Sequence, residues 1–334
     1  MRPFLALVGL ALVAGCTRSP APPPEPKPNV RLAVITDLKG YLEPCGCTSN
    51  PLGGIDRLAA QIDELRQDGV PLTVFVAGDV FFDTETLEPA RVDQAQRNAT
   101  TLAGILNRIG VTAIVTGSAD RAQSREVLDA LRGASEFPWL ADTAATDVVR
   151  KHIGGVKLAV FGARSDTDLE ALRTAGIDAT TESDVSVLLV DGSRRDANKL
   201  AGSSGVDFVV AGGLDQDEPV APKKSRASWV LHASRQGQGL TVVDVYLGDG
   251  DGFENRSQWS RTEALEQLDR RVEELASKVR RWEASQEYTA DEIAPQREQL
   301  TALKEKRAAL AAPLPASTAP RFDARFVELQ QTLP

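Results

Sequence analysis

Histidine is nearly absent from this chain: His152 and His232 are the only two in 334 residues. Hydrolytic metal centres that draw several imidazoles from one chain are hard to build from that supply. Cysteine is scarce too, at three residues, and methionine stands once. That excludes a Cys-rich scaffold and a zinc-finger array. No G-x-G-x-x-G or Walker pattern follows any apolar run, and no Cys-x-x-Cys-His is present for covalent haem. Basic residues are outnumbered by acidic ones, 38 to 47, for a net charge of −9. A body of that sign repels phosphate backbones, which argues against nucleic acid as a partner. The rest of the composition, 42% hydrophobic and 25% charged, is that of a folded soluble body. It excludes a mostly disordered chain and a polytopic membrane protein, and the length allows two domains.

Residues 1–15 read as an export signal. Arg2 supplies the positive start, and Phe4 to Ala14 is apolar or small throughout, too short to span a bilayer as a stable helix. The run closes in Val13-Ala14-Gly15-Cys16, which resembles the lipobox of bacterial lipoproteins. The resemblance implies cleavage before Cys16 and a lipid anchor on its thiol, so that the membrane is a partner through Cys16. Thr17 stands where Asp would signal inner-membrane retention, so the expected site is the outer membrane, facing the periplasm. Residues 16–29, rich in proline from Pro20 to Pro28, read as an extended tether.

From residue 30 to 250 apolar runs alternate with amphipathic stretches. The runs are 32–37, 73–77, 112–116, 158–162, 185–190 and 208–211. Ile55, Leu58, Ala59, Ile62 and Leu65 recur at helical spacing between them, as do Ala99, Leu102, Ile105, Leu106 and Ile109. This alternation predicts an α/β fold with a buried sheet. Gly154-Gly155 marks a hairpin. Two late runs, 229–232 and 240–246, predict a second, closing hairpin, and a layered sandwich with a mixed sheet fits them better than a simple doubly wound domain. Residues 251–334 differ. Leu265, Leu268, Val272, Leu275, Val279 and Trp282 form an a/d seam behind a Ser260-x-x-Glu263 capping box. Ile293, Leu300, Leu303 and Leu310 form a second arm, capped by Thr289-x-x-Glu292 and kinked or delayed by Pro295. The expectation is an antiparallel helical hairpin packed within its own chain, with a dimerising coiled coil or a protein partner as the other use of that surface. Phe322, Ala324, Phe326 and Leu329 then return as an edge strand or lie on the body.

Acidic residues gather where sheets hand over to loops, the usual place for ligands in such folds. Asp37 and Lys39 follow the first run, Asp79 the second, Asp120 the third. Residues i and i+2 at a strand end share a direction, so Asp37 and Lys39 are expected to face one site. Together with Gly53-Gly54-Ile-Asp-Arg-Leu-Ala, Val76-Ala-Gly78-Asp79 and Leu106-Asn107-Arg-Ile-Gly110-Val, this order of segments resembles the N-terminal domain of bacterial 5′-nucleotidases, among the calcineurin-like metallophosphoesterases. The resemblance implies a four-layer α/β/β/α sandwich, followed here by the C-terminal helical hairpin. It also implies two divalent metals clamping a phosphoester.

The family's site residues carry over at only two positions, Asp37 and Asp79. The His of Asp-x-His is Lys39, Gly-Asn-His is Gly117-Ser118-Ala119, a later metal His is replaced by Asp191-Gly192, and Gly-His-x-His reads Gly212-Gly213-Leu214-Asp215. A full two-metal centre is therefore not expected, and one divalent ion is the most the set Asp37, Asp79, Cys45 and Cys47 would take. Lys39 has two readings: an ammonium that neutralises Asp37 and Asp79 and holds a small anionic or nucleotide ligand, or a side chain turned to solvent. Asp120, Asp191 and Asp215 are either oxygen ligands for a hard cation or caps and turn formers. Cys45-Gly-Cys47 is a strained disulfide, a soft-metal pair or two free thiols. Three functions follow: a non-catalytic binding or scaffold lipoprotein, a phosphoester hydrolase with a rebuilt centre, and a thiol-based metal or redox protein.

Overall fold

Val30–Thr36 is VRLAVIT, and every residue of it is buried. Its pleat sorts the side chains: Leu32 and Val34 enter one core, Ala33 and Ile35 another. A strand covered on both faces needs layers on both sides, and the rest of the chain supplies them. The computed structural model describes residues 26–44, 51–141, 147–214, 219–285 and 287–330. Cys16, the export signal, most of the tether, Cys45, Cys47 and Asp215 lie outside these described residues.

The first half runs β1 (Val30–Thr36), α1 (Ile55–Gln67), β2 (Leu72–Gly78), α2 (Val92–Ile109), β3 (Ala113–Thr116), α3 (Ser118–Arg121), α4 (Arg125–Ala134) and β4 (Trp139–Leu140). The second runs β5 (Val149–Ile153), β6 (Val156–Arg164), α5 (Leu169–Thr181), β7 (Val185–Asp191), α6 (Arg194–Ser204), β8 (Phe208–Gly212), β9 (Lys223–Ser225), β10 (Ser228–Leu231) and β11 (Gly239–Tyr246). It continues through β12 (Glu254–Asn255), α7 (Gln258–Ala284), α8 (Ala290–Ala311) and β13 (Arg321–Glu328). One sheet has the order β12-β13-β11-β1-β2-β3-β4, the other β5-β6-β7-β8-β10-β9. Phe75, Val115, Val187, Leu189, Phe208 and Phe322 pack between the two sheets. Residues of α1, α2 and α4 cover the outer face of the first sheet. Residues of α5 and α6 cover the second. The result is the expected α/β/β/α order with mixed sheets.

The β5–β6 hairpin forms around Gly154-Gly155 as expected. The closing hairpin does not. β10 pairs with β8 and β9 in the second sheet, whereas β11 pairs with β1 and β13 in the first. The seven residues between them cross from sheet to sheet instead of turning back. Thr36 Oγ1 donates to the Ser234 carbonyl, and the Gln236 N–H donates to the Asp37 carbonyl at 2.6 Å, which fixes this crossing over the end of β1. The break placed at residue 250 is also too simple. β13 lies inside the first sheet, beside β11, with Phe322 and Ala324 buried in the inter-sheet core. It is no edge strand, because β12 pairs beyond it.

Arg31 ties this sheet to its helix layer. Its guanidinium holds Asp244 at 2.5 Å and Asp68 at 2.6 Å, and donates to the Leu65 carbonyl of α1. Asp244 also takes Arg325 of β13 at 2.6 Å, so three adjacent strands share one charge network.

The arms α7 and α8 pack on each other within the chain. Arg307 pairs with Asp269, Arg297 with Glu283, and Trp282 stacks on Tyr288 at 4.4 Å near the turn. At the root Trp259 meets Phe326, and Ser257 Oγ accepts from the Ala324 N–H. The expected Ser260 cap is misplaced by three residues. Ser257 is the N-cap, and Ser260 lies inside the helix, accepting from Asn255. The Thr289–Glu292 box forms, and it starts α8 at Ala290, so Pro295 falls inside the helix without delaying it. Among the described residues no helix is long and apolar enough to cross a membrane.

Candidate functional site

The ends of β1, β2, β3, β7 and β8 meet around a cavity of about 370 Å³, lined among others by Asp37, Lys39, Asp79, Arg121, Asp191 and Arg235. β1 stops at Thr36, so strand pleating does not bring Asp37 and Lys39 to one side. Two left-handed residues do: Asp37 at φ 49° and Lys39 at φ 55°. Asp tolerates that region and Lys seldom adopts it, so the turn is held from outside. The Lys39 N–H donates to the Asp79 carbonyl and the Gly40 N–H to the Val80 carbonyl, both at 2.9 Å. The loops after β1 and β2 thus run side by side.

Asp37 is buried and its oxygens are occupied by backbone. Oδ1 accepts from Gly213 N–H at 2.9 Å and Asp79 N–H at 3.2 Å, and Oδ2 lies 3.1 Å from the same Gly213 nitrogen. This approach requires glycine at position 78: a Cβ there would lie 2.1 Å from Asp37 Oδ1, and φ is 92°. Burial pushes the Asp37 carboxyl up to about 7; the two N–H bonds and Lys39 oppose the shift, and the Asp79 charge adds to it. Asp79 accepts from the Ala119 N–H at 2.9 Å. Burial raises its pKa as well, helped by the Asp191 charge and opposed by that N–H, Lys39 and Arg121. Asp191 is raised by burial against the pull of Arg121 and Arg164. All three shifts come first from burial, and Lys39, Arg121 and Arg164 pull against them.

Lys39 does face the cavity with Asp37 and Asp79, and it also lines a second one of about 530 Å³ shared with Tyr41, Phe82, Arg91 and Asn98. Asp120 does not join the site. It is fully buried and turned inward, accepting from the N–H groups of Val80, Phe81 and Phe82 at 2.7–2.9 Å and of Gly117 at 3.4 Å. It organises the loop behind Asp79, and its reading as a cation ligand is withdrawn. His152 is exposed on β5, away from the cavity. His232 is buried, its pKa lowered by burial; neutral, it donates Nδ1–H to the Ala211 carbonyl at 2.9 Å.

Sequence reasoning missed Arg121. One helical turn, α3, carries it back over the end of β3, where it donates to the Thr116 carbonyl and pairs with Asp191 at 2.9 Å. The available signal was Asp191, which stands where the resemblance implies a His: a carboxylate there calls for a cation, and Arg121 is a cation after a neighbouring strand end.

The resemblance read in the sequence implies two divalent metals, and the residues present do not fit that pair. Ser118, Gly192 and Gly213 line the cavity where the implied ligands would stand. Asp191 is engaged by Arg121, and Asp37 by backbone N–H groups. Among the described residues no three of His, Cys, Asp and Glu come together in a metal-binding group.

No family model matches the chain, and no curated protein matches it. Solved structures do. A sulfate thiohydrolase, SoxB, from Thermus thermophilus aligns at TM-score 0.55 and 18% identity, covering 66% of this chain and 54% of that one. A 5′-nucleotidase precursor, also from Thermus thermophilus, aligns at 0.55 and 19%, covering 65% and 51%. The NAD nucleotidase of Haemophilus influenzae aligns at 0.55 and 13%, covering 85% and 61%. The chain thus spans about half the length of the first two. At these identities the likeness establishes architecture: this chain has the metallophosphoesterase-type fold that 5′-nucleotidases and SoxB share.

Proposed function

We propose that this protein is an exported, lipid-anchored member of that fold which binds through its cleft and does not turn over phosphoesters. One observation carries the reading: Arg121 and Lys39 stand among the site carboxylates, and among the described residues no three metal-ligating side chains come together. Phosphoryl transfer needs positive charge on both attacking and leaving oxygens, and losing one such group commonly costs about two to three powers of ten. Ser118, Ala119, Gly192 and Gly213 supply none. Lys39 at the wall between the two cavities supports retention of a small anionic or nucleotide ligand. Anchoring through Cys16 rests on the lipobox, and the precursor status of the Thermus 5′-nucleotidase supports export. The test is hydrolysis of nucleoside monophosphates and an aryl phosphate with Mn²⁺, Zn²⁺, Mg²⁺ or Ca²⁺. No metal-dependent turnover is expected. Robust turnover that disappears in Asp79→Asn overturns the reading.

A rebuilt hydrolase centre is the second reading, favoured by the convergence of Asp37, Asp79 and Asp191 with raised pKa values. Its set also takes in Asp215, with Cys45 and Cys47 as further ligands, and two bound divalent ions in the purified protein would favour it. The thiol-based reading rests on Cys45 and Cys47 alone.

A further inference from the structure

We propose that the face made by α6 and β9 is a docking surface for an anionic phospholipid bilayer, and that it sets how the anchored body lies on its membrane. Six cations lie on these two elements and the turn that follows: Arg194, Arg195 and Lys199 on α6, Lys223 and Lys224 on β9, and Arg226 just after β9. All six are exposed, and among the described residues none of them has an ion pair. The two elements lie side by side. Arg194, Asn198 and Lys223 line one small cavity, Ser225 Oγ donates to the Asn198 carbonyl at 3.2 Å, and Arg226 donates to the Gly202 carbonyl at 2.9 Å. From Arg194 to Gly202 the helix rises about 12 Å, which gives the face its length. Lys224 is carried over the ring of Trp229, its Nζ 5.5 Å from the centroid.

Local forces do not account for this gathering. Arg194 and Arg195 stand in the first turn of α6, where the helix dipole favours acidic residues. Lysines on an edge strand such as β9 deter strand addition, but that use asks nothing of the arginines on α6. One carboxylate occurs on these elements, Asp196, and its Oδ2 is taken by the Ser193 N–H and hydroxyl at the helix cap. The chain as a whole carries a net charge of −9, so an anionic surface repels it except where cations are gathered. The bilayer is the occupant to which the sequence itself points. Val13–Cys16 reads as a lipid attachment site, and residues 16–29, read as an extended tether, span about 40 Å at most. A body held that close meets the headgroups repeatedly, and lysines and arginines within a Debye length of anionic lipid are drawn to it. A bilayer asks for charge on one face and no shaped pocket, which is what α6 and β9 offer.

This inference rests on the lipid anchor at Cys16, and its test separates the two. The full chain is carried from detergent onto vesicles of phosphatidylcholine alone, or of phosphatidylcholine and phosphatidylglycerol at about three to one. A membrane-impermeant acylating reagent then labels lysines, read residue by residue by mass spectrometry against Lys304 and Lys306, which are exposed on α8. Lys199, Lys223 and Lys224 are expected to lose about threefold of their relative labelling on the phosphatidylglycerol vesicles and to regain it in about 0.5 M salt. Arg194→Glu with Arg195→Glu should abolish the protection, and glutamates suit a first turn, so the helix is kept. Equal labelling on the two kinds of vesicle overturns the proposal, as does protection that survives salt or the double substitution. Protection by soluble polyglutamate but not by phosphatidylglycerol vesicles also overturns it, and assigns the face to an acidic macromolecule. A chain that leaves phosphatidylcholine vesicles, yet stays on phosphatidylglycerol vesicles with the same lysines protected, removes the Cys16 anchor and leaves the docking face standing.

Discussion

Asp120 is the sharpest place to test how the cleft is supported. Its carboxylate takes four backbone N–H groups, from Val80, Phe81, Phe82 and Gly117, in a fully buried setting. Asp120→Ala removes all four acceptors at once. A buried donor left unpaired costs about 1–3 kcal/mol, but the loop relaxes and water enters, so the sum is not four times that. The expected loss is about 3–5 kcal/mol of unfolding free energy. Asp120→Asn should cost less, about 2–3 kcal/mol: one oxygen still serves Phe81 and Phe82, and the new NH₂ faces the Val80 N–H. Urea unfolding read by tryptophan fluorescence suits the purpose, because Trp139 stacks on Phe81 at 5.2 Å and reports this loop. The pH dependence has a defined sign. Burial pushes Asp120 up to about 7 in the folded chain, against 3.8 for an aspartate in water. The folded state therefore holds this proton more tightly than the unfolded one. The stabilisation that gives is complete below about pH 4 and is lost as pH rises through about 7. Asn does not titrate, so the deficit of Asp120→Asn should be largest below about pH 4, shrink between about pH 4 and pH 7, and level off above that. An Asp120→Ala protein within about 1 kcal/mol of native would refute the reasoning, as would a deficit that grows with pH.

Three further outcomes are expected. Asp244→Ala should cost about 3 kcal/mol in the same unfolding assay, because it removes the buried partner of Arg31 and releases Arg325, leaving Arg31 the half-exposed Asp68 and the Leu65 carbonyl. Gly78→Ala should destabilise by about 2–4 kcal/mol, since its methyl would meet Asp37 Oδ1 and its φ of 92° resists a side chain; a near-native unfolding midpoint would argue against the packed Asp37 geometry. Cys16→Ala should move the protein from the membrane to the soluble fraction, and full membrane retention would rule out the lipid anchor.

What the sequence made legible follows from which forces are local. Strands such as Val185–Asp191, covered on both sides, announce themselves as continuous apolar runs, and helix periodicity places α1 and α2. Pairing partners are set by distant surfaces instead. β10 and β11 look like hairpin arms, yet the buried Phe322 and Ala324 of β13, about eighty residues on, give β11 a better neighbour. The site divides in the same way. Asp37 and Asp79 were visible because strand ends and glycines flag them. Asp120 was misread because its chemistry is decided by the direction it faces, and one helical turn points it at three consecutive N–H groups. The same turn sends the next residue, Arg121, to the opposite side and across to Asp191. Adjacent residues thus divide the support of the cleft: Asp120 fixes the loop that carries Asp79, and Arg121 fixes the sheet that carries Asp191. A local pattern cannot show that division, because it depends on two sheets that meet only in the folded chain. The Gly213 N–H holds Asp37 and the Arg121 guanidinium holds Asp191, each from the opposite sheet.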